Sequence, residues 1–324
     1  MGHIGGDDFG PGRIDRRSIC PQFEFLAPIT DVAKTEGNHM SRIAYVNGRY
    51  CPHNGAAIHI EDRGYQFADA VYEVCGIRDG KMLDEEAHLN RLDWSLGELE
   101  IPWPMIRSAL QVTMREVIRR NRVRHGMIYL QVSRGRARRA HSYSAHMNPA
   151  LVITATSTPR PQNAQVLPQP VSVITQPDIR WQRVDIKTVA LLPNSMARHA
   201  ADNVGCREAW LINAEGKVTE GSSSNAWIVD QQNRVRTHPT NGRILNGTVR
   251  QALIRLAKQE GIEVSETAFT PQEAYEAKEA FLTSSNALVQ PINQIDGHKI
   301  GNASQNEISQ QLWRAYYIEN QIAP

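Results

Sequence analysis

Two dipeptides, Asn47-Gly48 and Asp79-Gly80, restrict the fold of this chain more than any other feature. Each lies between short runs rich in apolar and aromatic residues, and such a dipeptide closes a tight antiparallel hairpin. The first run is "MSRIAYVNGRYCPHNGAAIHIEDRG" and the second "AVYEVCGIRDGKML". A helix is expected after the second hairpin, over "DEEAHLNRLDWSLGELEI". Asp84 is its N-cap candidate, and Leu89, Leu92, Leu96 and Leu99 form its buried stripe. A further helix over about 104–122 and strands at 126–135 and 149–156 complete a first α/β half. "STPRPQNAQVLPQP" is the best linker in the chain. The second half carries strands near 171–175, 184–190, 208–213, 225–230 and 279–285, with helices at 249–262, from 270, and at about 304–319. The expected organisation is an extension over 1–40, largely disordered, a small domain over 41–156, a linker at 157–164 and a larger domain over 165–324.

The bulk properties narrow the function. Lys plus Arg number 36 against 34 acids, for a net charge of +2, which gives no general case for nucleic acid. No run reaches the ~18 apolar residues of a membrane span, and the first residues have no secretory apolar core. Cys20, Cys51, Cys75 and Cys206 have no metal-ligand spacing and read as reduced thiols of a cytoplasmic protein.

Several residues are candidates for chemistry. Lys187 stands in the largely apolar "RVDIKTVALLPNS" of a lysine-poor chain. It is either an edge-strand lysine in water or a desolvated amine able to attack a carbonyl. In "KVTEGSSSNAWIVD", Glu220 is a solvated turn acid or a partner for a cofactor's ring nitrogen, with the following serines, Ser224 among them, at its periphery. In "GRILNGTVRQALIRLAK" a turn at Gly247 runs into a helix at Thr248, a simple start or a phosphate cradle. "FLTSSNAL" adds the hydroxyls of Thr283, Ser284 and Ser285. His88 and Arg91 share a helix face away from the leucines, as a solvated pair or with Arg91 as a phosphate clamp. The arginine-rich "SRGRARRAH" lacks the aromatics of a nucleic-acid site and suits capture of a substrate carboxylate.

Seven blocks, "EDRGYQFADAVYEV", "HLNRL", "YLQVSRGRARRAH", "DIKT", "VTEGSSSN", "ILNGTVR" and "FLTSSN", resemble the D-amino acid group of the fold type IV, pyridoxal-phosphate-dependent (class IV) aminotransferases. The resemblance runs from about Ile43 to the C-terminus. It implies an α/β (α+β type) two-domain fold with the active site between the domains, bound pyridoxal 5'-phosphate, and a homodimer without nucleic-acid or membrane partners. The implied reaction moves an amino group between a D-amino acid, of the D-alanine or D-glutamate type, and a 2-oxo acid by a ping-pong Schiff-base route. An (R)-amine or branched-chain L-amino acid transaminase of the same fold is the alternative. By position, Lys187 matches the lysine that condenses with the cofactor, Glu220 the acid at its ring nitrogen, and Arg91 the phosphate arginine. Gly247, Thr248 and Val249, with Ser284 and Ser285, match the remaining phosphate contacts. Tyr72, Arg139 and His141 match the residues that trap the substrate carboxylate across a dimer interface. One departure stands out: where the family reads Gly-Ile-Thr-Arg, this chain has Gly247-Thr248-Val249-Arg250, so a hydroxyl has moved one residue earlier.

Overall fold

The computed structural model describes residues 42–144, 146–159, 167–301 and 306–320. The expected extension at 1–40 and residues 160–164 of the expected linker lie outside the described residues. Both hairpin turns form with positive φ at each central residue, 45° and 90° at Asn47 and Gly48, 47° and 78° at Asp79 and Gly80. That twist matches the flanking strands and fixes the register. Val46 then faces Arg49, and Arg78 faces Lys81.

The first sheet has six strands: β1 (Ile43–Val46), β2 (Arg49–Pro52), β3 (Ala70–Arg78), β4 (Lys81–Met82), β5 (Gly126–Ser133) and β6 (Ala150–Ser157). Their order is β2-β1-β6-β5-β3-β4, and every pair is antiparallel. Helix α1 (Arg63–Phe67) precedes β3, and α2 (Glu85–Glu98) and α3 (Arg107–Arg120) follow β4. Leu89, Leu92 and Leu96 of α2 are buried with Leu110, Met114 and Val117 of α3 against Ile128, Leu130 and Ile153 of the sheet. Asp84 precedes α2 as expected but does not cap it. It takes a left-handed backbone, and its carboxylate accepts from the Tyr316 hydroxyl.

The second sheet is mixed, with nine strands: β7 (Val171–Pro177), β8 (Glu208–Ile212), β9 (Val218–Gly221), β10 (Asn225–Val229), β11 (Val235–Thr237), β12 (Val264–Ser265), β13 (Glu279–Ser284), β14 (Leu288–Ile295) and β15 (His298–Lys299). The order is β12-β11-β10-β13-β14-β7-β8-β9, with β15 paired to β14. Its helices are α4 (Leu192–Asn203), α5 (Thr248–Gln259), α6 (Pro271–Tyr275) and α7 (Glu307–Glu319). On one face, Leu253 and Leu256 of α5 and Trp313 and Tyr316 of α7 pack on Trp227 and Phe281. On the other, Trp210, Ile228, Phe269 and Ile292 form a separate core. Residues 184–190 are not a strand. Ile186 is buried in the core of the first sheet, and that burial holds the loop down by roughly 1.5–3 kcal/mol. The apolar residues of this segment mark a docked loop followed by α4. Among the described residues no helix is long and apolar enough to cross a membrane.

Candidate active site

The loop after β7 lies along β3. The Tyr72 N–H donates to the Lys187 carbonyl (3.0 Å), and the Val189 N–H donates to the Ala70 carbonyl (3.1 Å). The Lys187 N–H donates to Ser95 Oγ of α2 (3.2 Å). The backbone is thus fixed on both sides while the side chain enters a cavity of about 690 Å³. Lys187 is half-buried, and its Nζ lies 4.2 Å from the centroid of the Tyr72 ring. The ring face attracts the ammonium, which explains how a lysine is accommodated here.

Glu220, on β9, faces the same cavity. Its carboxylate accepts from Arg180, from Asn225 Nδ2 (3.0 Å) and from the Leu245 N–H (3.1 and 3.2 Å). Arg180 also pairs with Asp178 at 2.8 Å. Two carboxylates therefore share one guanidinium, which leaves a formal negative charge beside the cavity. Burial pushes the Glu220 carboxyl above its ordinary range, against the pull of Arg180 and, more weakly, Lys187. A cationic group placed against Glu220 would relieve that burial penalty.

The serines after β9 are held by a buried acid. Glu208 accepts from the hydroxyls of Ser222, Ser223 (2.9 Å) and Ser224 (3.0 Å), and from the Ser222 and Ser223 N–H groups (3.2 Å each). Ser224 is thereby fixed in orientation where it borders the cavity.

Arg91, which also borders the cavity, is held by Glu73 of β3. Arg91 Nε and Nη2 make a two-pronged contact with its carboxylate at 2.8 Å each, and His88 Nδ1 is 2.7 Å from Oε2. Arg91 Nη1 also donates to the Asn246 carbonyl (3.2 Å). Of the two readings of His88 and Arg91, the solvated pair does not form: both are buried, because α2 turns this face toward β3. Burial opposes ionisation of Glu73, but Arg91 and then His88 overcome it and hold the carboxyl down to about 2. Helix α5 starts at Thr248 without a side-chain cap, so its first N–H groups have no partner within the helix and form an anion-binding end. Gly247 makes room for this turn. A Cβ there would lie 2.2 Å from Asn225 Oδ1, and Asn225 is itself tied to Glu220. Gly247→Ala is expected to lower unfolding stability by about 1–3 kcal/mol, measured by urea denaturation.

Of the residues singled out in the sequence, Lys187, Glu220, Arg91 and Tyr72 border this one cavity, drawn from both halves of the chain. So do Ser224, Gly247, Thr248 and Val249, together with Ser284 and Ser285. Arg139 and His141 do not border it. They lie exposed beyond β5, with the Arg139 guanidinium 4.6 Å from the Phe67 ring centroid and the His141 ring 5.7 Å from it. Sequence reasoning missed Glu73, Arg180, Glu208 and Asn225. Glu73 and Glu208 carry a signal of the kind that drew attention to Lys187, a charge within or heading an apolar strand. Arg180, on a loop, carries none.

The chain is similar to two curated proteins of the same kind. It is 38% identical over 276 residues to a D-alanine aminotransferase of Bacillus licheniformis, covering 85% of this chain and 95% of that protein. It is 36% identical over 275 residues to one of Listeria innocua, covering 85% and 94%. Its fold is similar to that of a branched-chain amino acid aminotransferase of Escherichia coli, with a TM-score of 0.78 at 22% identity, over 87% of this chain and 95% of that one. Residues 70–295 match the model of the family Amino-transferase class IV. With an amine, a buried acid and an anion-binding helix end meeting in one cavity, and with this match over most of its length, the chain belongs to the class IV aminotransferases.

Proposed function

We propose that the cavity holds pyridoxal 5'-phosphate and that the chain transfers an amino group between a D-amino acid, of the D-alanine or D-glutamate type, and a 2-oxo acid. The observation that carries this reading is the placement of Lys187, Glu220 and the start of α5 around one cavity. The residues suit the group: Glu220 belongs to a set with excess negative charge, which favours a protonated ring nitrogen, and Arg91 and the free N–H groups of α5 suit a phosphate. When bound, the cofactor supplies an aldehyde that takes up the amino group and a ring that accepts the electron pair left at the α-carbon.

The chain's own residues do the rest. Lys187 Nζ, held over Tyr72, would take the proton from the substrate α-carbon and deliver it to the carbon that bore the cofactor's aldehyde. Glu220 holds a proton at the ring nitrogen through a carboxylate fixed by Arg180, Asn225 and Leu245. The serines aligned by Glu208 border the same space. Tyr72 stands beside the reacting amine, and in this reading it contacts the substrate carboxylate. Arg139 and His141 reach that carboxylate only if a second copy of the chain supplies them, so a homodimer belongs to the proposal. The exposed Ile60, Tyr65 and Tyr143 near the arginine loop support it, being apolar surface for a partner to cover. Residues 41–156 and 165–324 are proposed as the two domains flanking the cavity. A cytoplasmic location goes with the unpaired Cys51, Cys75 and Cys206.

D-selectivity rests on the likeness to the curated relatives. The test is a half-reaction of the cofactor-loaded protein with single amino donors, followed by the cofactor's absorbance. D-Alanine is expected to discharge the absorbance and L-leucine to leave it. The reverse result would assign the chain to L-amino acids.

A further inference from the structure

Beyond Glu73 and Arg91, the buried hydrogen-bond chain continues to a residue whose role can be fixed by counting hydrogens. His88 Nδ1 lies 2.7 Å from Glu73 Oε2, and His88 Nε2 lies 3.2 Å from Thr248 Oγ1 and 3.5 Å from Ser285 Oγ. Glu73 already accepts two hydrogens from Arg91. As an anion it has none to give, so the hydrogen between it and His88 belongs to Nδ1. A second hydrogen on the ring would place a further positive charge beside Arg91, whose Nη2 is 3.5 Å from Nδ1. Burial, and then Arg91, push the imidazole below its ordinary pKa, although Glu73 opposes them. The neutral ring leaves Nε2 bare, and a bare ring nitrogen can only accept. Thr248 is the nearer hydroxyl, and it has a single hydrogen.

We propose that the Thr248 side chain is a positioning group rather than a phosphate ligand: its hydroxyl donates to His88 Nε2 and locks α2 to the start of α5. The proposal rests on the reading that this part of the cavity receives phosphate. A phosphate oxygen needs donors, and the Thr248 hydrogen is already committed. The donors left for the anion are the helix-end N–H groups, Thr248's own among them, together with Arg91 and the hydroxyls of Ser284 and Ser285. The chain Glu73–His88–Thr248 joins β3, α2 and α5 in one buried network, while Arg91 keeps its angle through its own two contacts with Glu73.

The test uses the full chain, labelled at the histidine nitrogens, with and without pyridoxal 5'-phosphate. In the unaltered protein His88 is expected to be neutral, protonated at Nδ1, with Nε2 showing an accepted hydrogen bond. Thr248→Val should shift Nε2 toward the position of a free ring nitrogen, and Thr248→Ser should restore it. Cofactor affinity, followed by absorbance titration, should change by no more than about threefold in Thr248→Val, against the roughly tenfold or larger loss expected on removing a hydrogen bond to a charged group. A His88 signal that Thr248→Val does not move, a ring protonated at Nε2, or a tenfold loss of affinity would each overturn the proposal. A chain that binds no pyridoxal phosphate would sink the proposed function instead, and the ring measurement on the cofactor-free chain would still decide whether the lock exists.

Discussion

Lys187→Arg is expected to lower turnover by at least roughly 10²–10⁴-fold, the range attributed to a positioned proton-transfer group, while leaving the fold intact. Arginine keeps a cation near the Tyr72 ring, 4.2 Å from the lysine nitrogen in the unaltered chain, so stability should change little. What it lacks is a nitrogen that can give up its proton at working pH, which the proposed role requires. The loop itself does not depend on the side chain. Its backbone is held by Tyr72, Ala70 and Ser95, and Ile186 anchors it in the core. Steady-state rates with D-alanine and pyruvate, compared with a thermal melt, separate the two effects. Borohydride reduction followed by mass spectrometry supplies a second readout, because the label should sit on residue 187 of the unaltered protein and be missing from the variant. Retained turnover in Lys187→Arg, or a label elsewhere, would end the mechanistic reading.

Glu73→Gln is expected to destabilise the protein by about 3–5 kcal/mol, because removing one partner of a buried ion pair leaves the other charge uncompensated. The stranded charge is the Arg91 guanidinium, whose two contacts with Glu73 are 2.8 Å long. A glutamine can accept at one atom only, and its amide hydrogens would point at donors. Urea denaturation near neutral pH measures the loss, and a weaker cofactor affinity should accompany it. The pH dependence has a definite sign. The folded carboxyl is depressed to about 2 from an ordinary 4.5, so its contribution is complete above about pH 4.5 and falls away as the pH drops toward 2. The unaltered protein should therefore lose stability across that window more steeply than Glu73→Gln. Parallel curves would mean that Glu73 is not ionised against Arg91.

The elements read correctly from sequence are those set by local chemistry. Asn47-Gly48 and Asp79-Gly80 left no other turn geometry, and Thr270 with Glu273 forms the capping box that opens α6. The stretch 184–190 misled because its apolar residues dock a loop on β3 instead of alternating between the faces of a strand. Helix α4 escaped notice because only Ala197 and Ala201 of it are buried, a stripe too small to show as apolar periodicity. At the site, resemblance supplied the identities of Lys187, Glu220 and Arg91, but not their supports. Glu73, Arg180 and Glu208 act through partners 18, 40 and 14–16 residues away, and such pairings are set by the packing of α2 on β3 and of β8 beside β9. Arg139 and His141 could be found as residues, yet they do not border the cavity that holds Lys187.

Strand β3 presents Tyr72 and Val74 to the cavity, while Val71, Cys75 and Ile77 lie in the first core. Glu73 falls on that second side and reaches Arg91 from beneath. Neighbouring positions on one ribbon thus serve two parts of the site, Tyr72 beside the Lys187 amine and Glu73 against the Arg91 guanidinium. Because side chains alternate with a period of two, sliding this ribbon by a single position against β5 would exchange their assignments. Alignment of the Tyr72↔Gln131 and Glu73↔Leu130 pairs is therefore a condition for chemistry as well as for folding, and a one-residue insertion between Ala70 and Tyr72 should disarm both parts together.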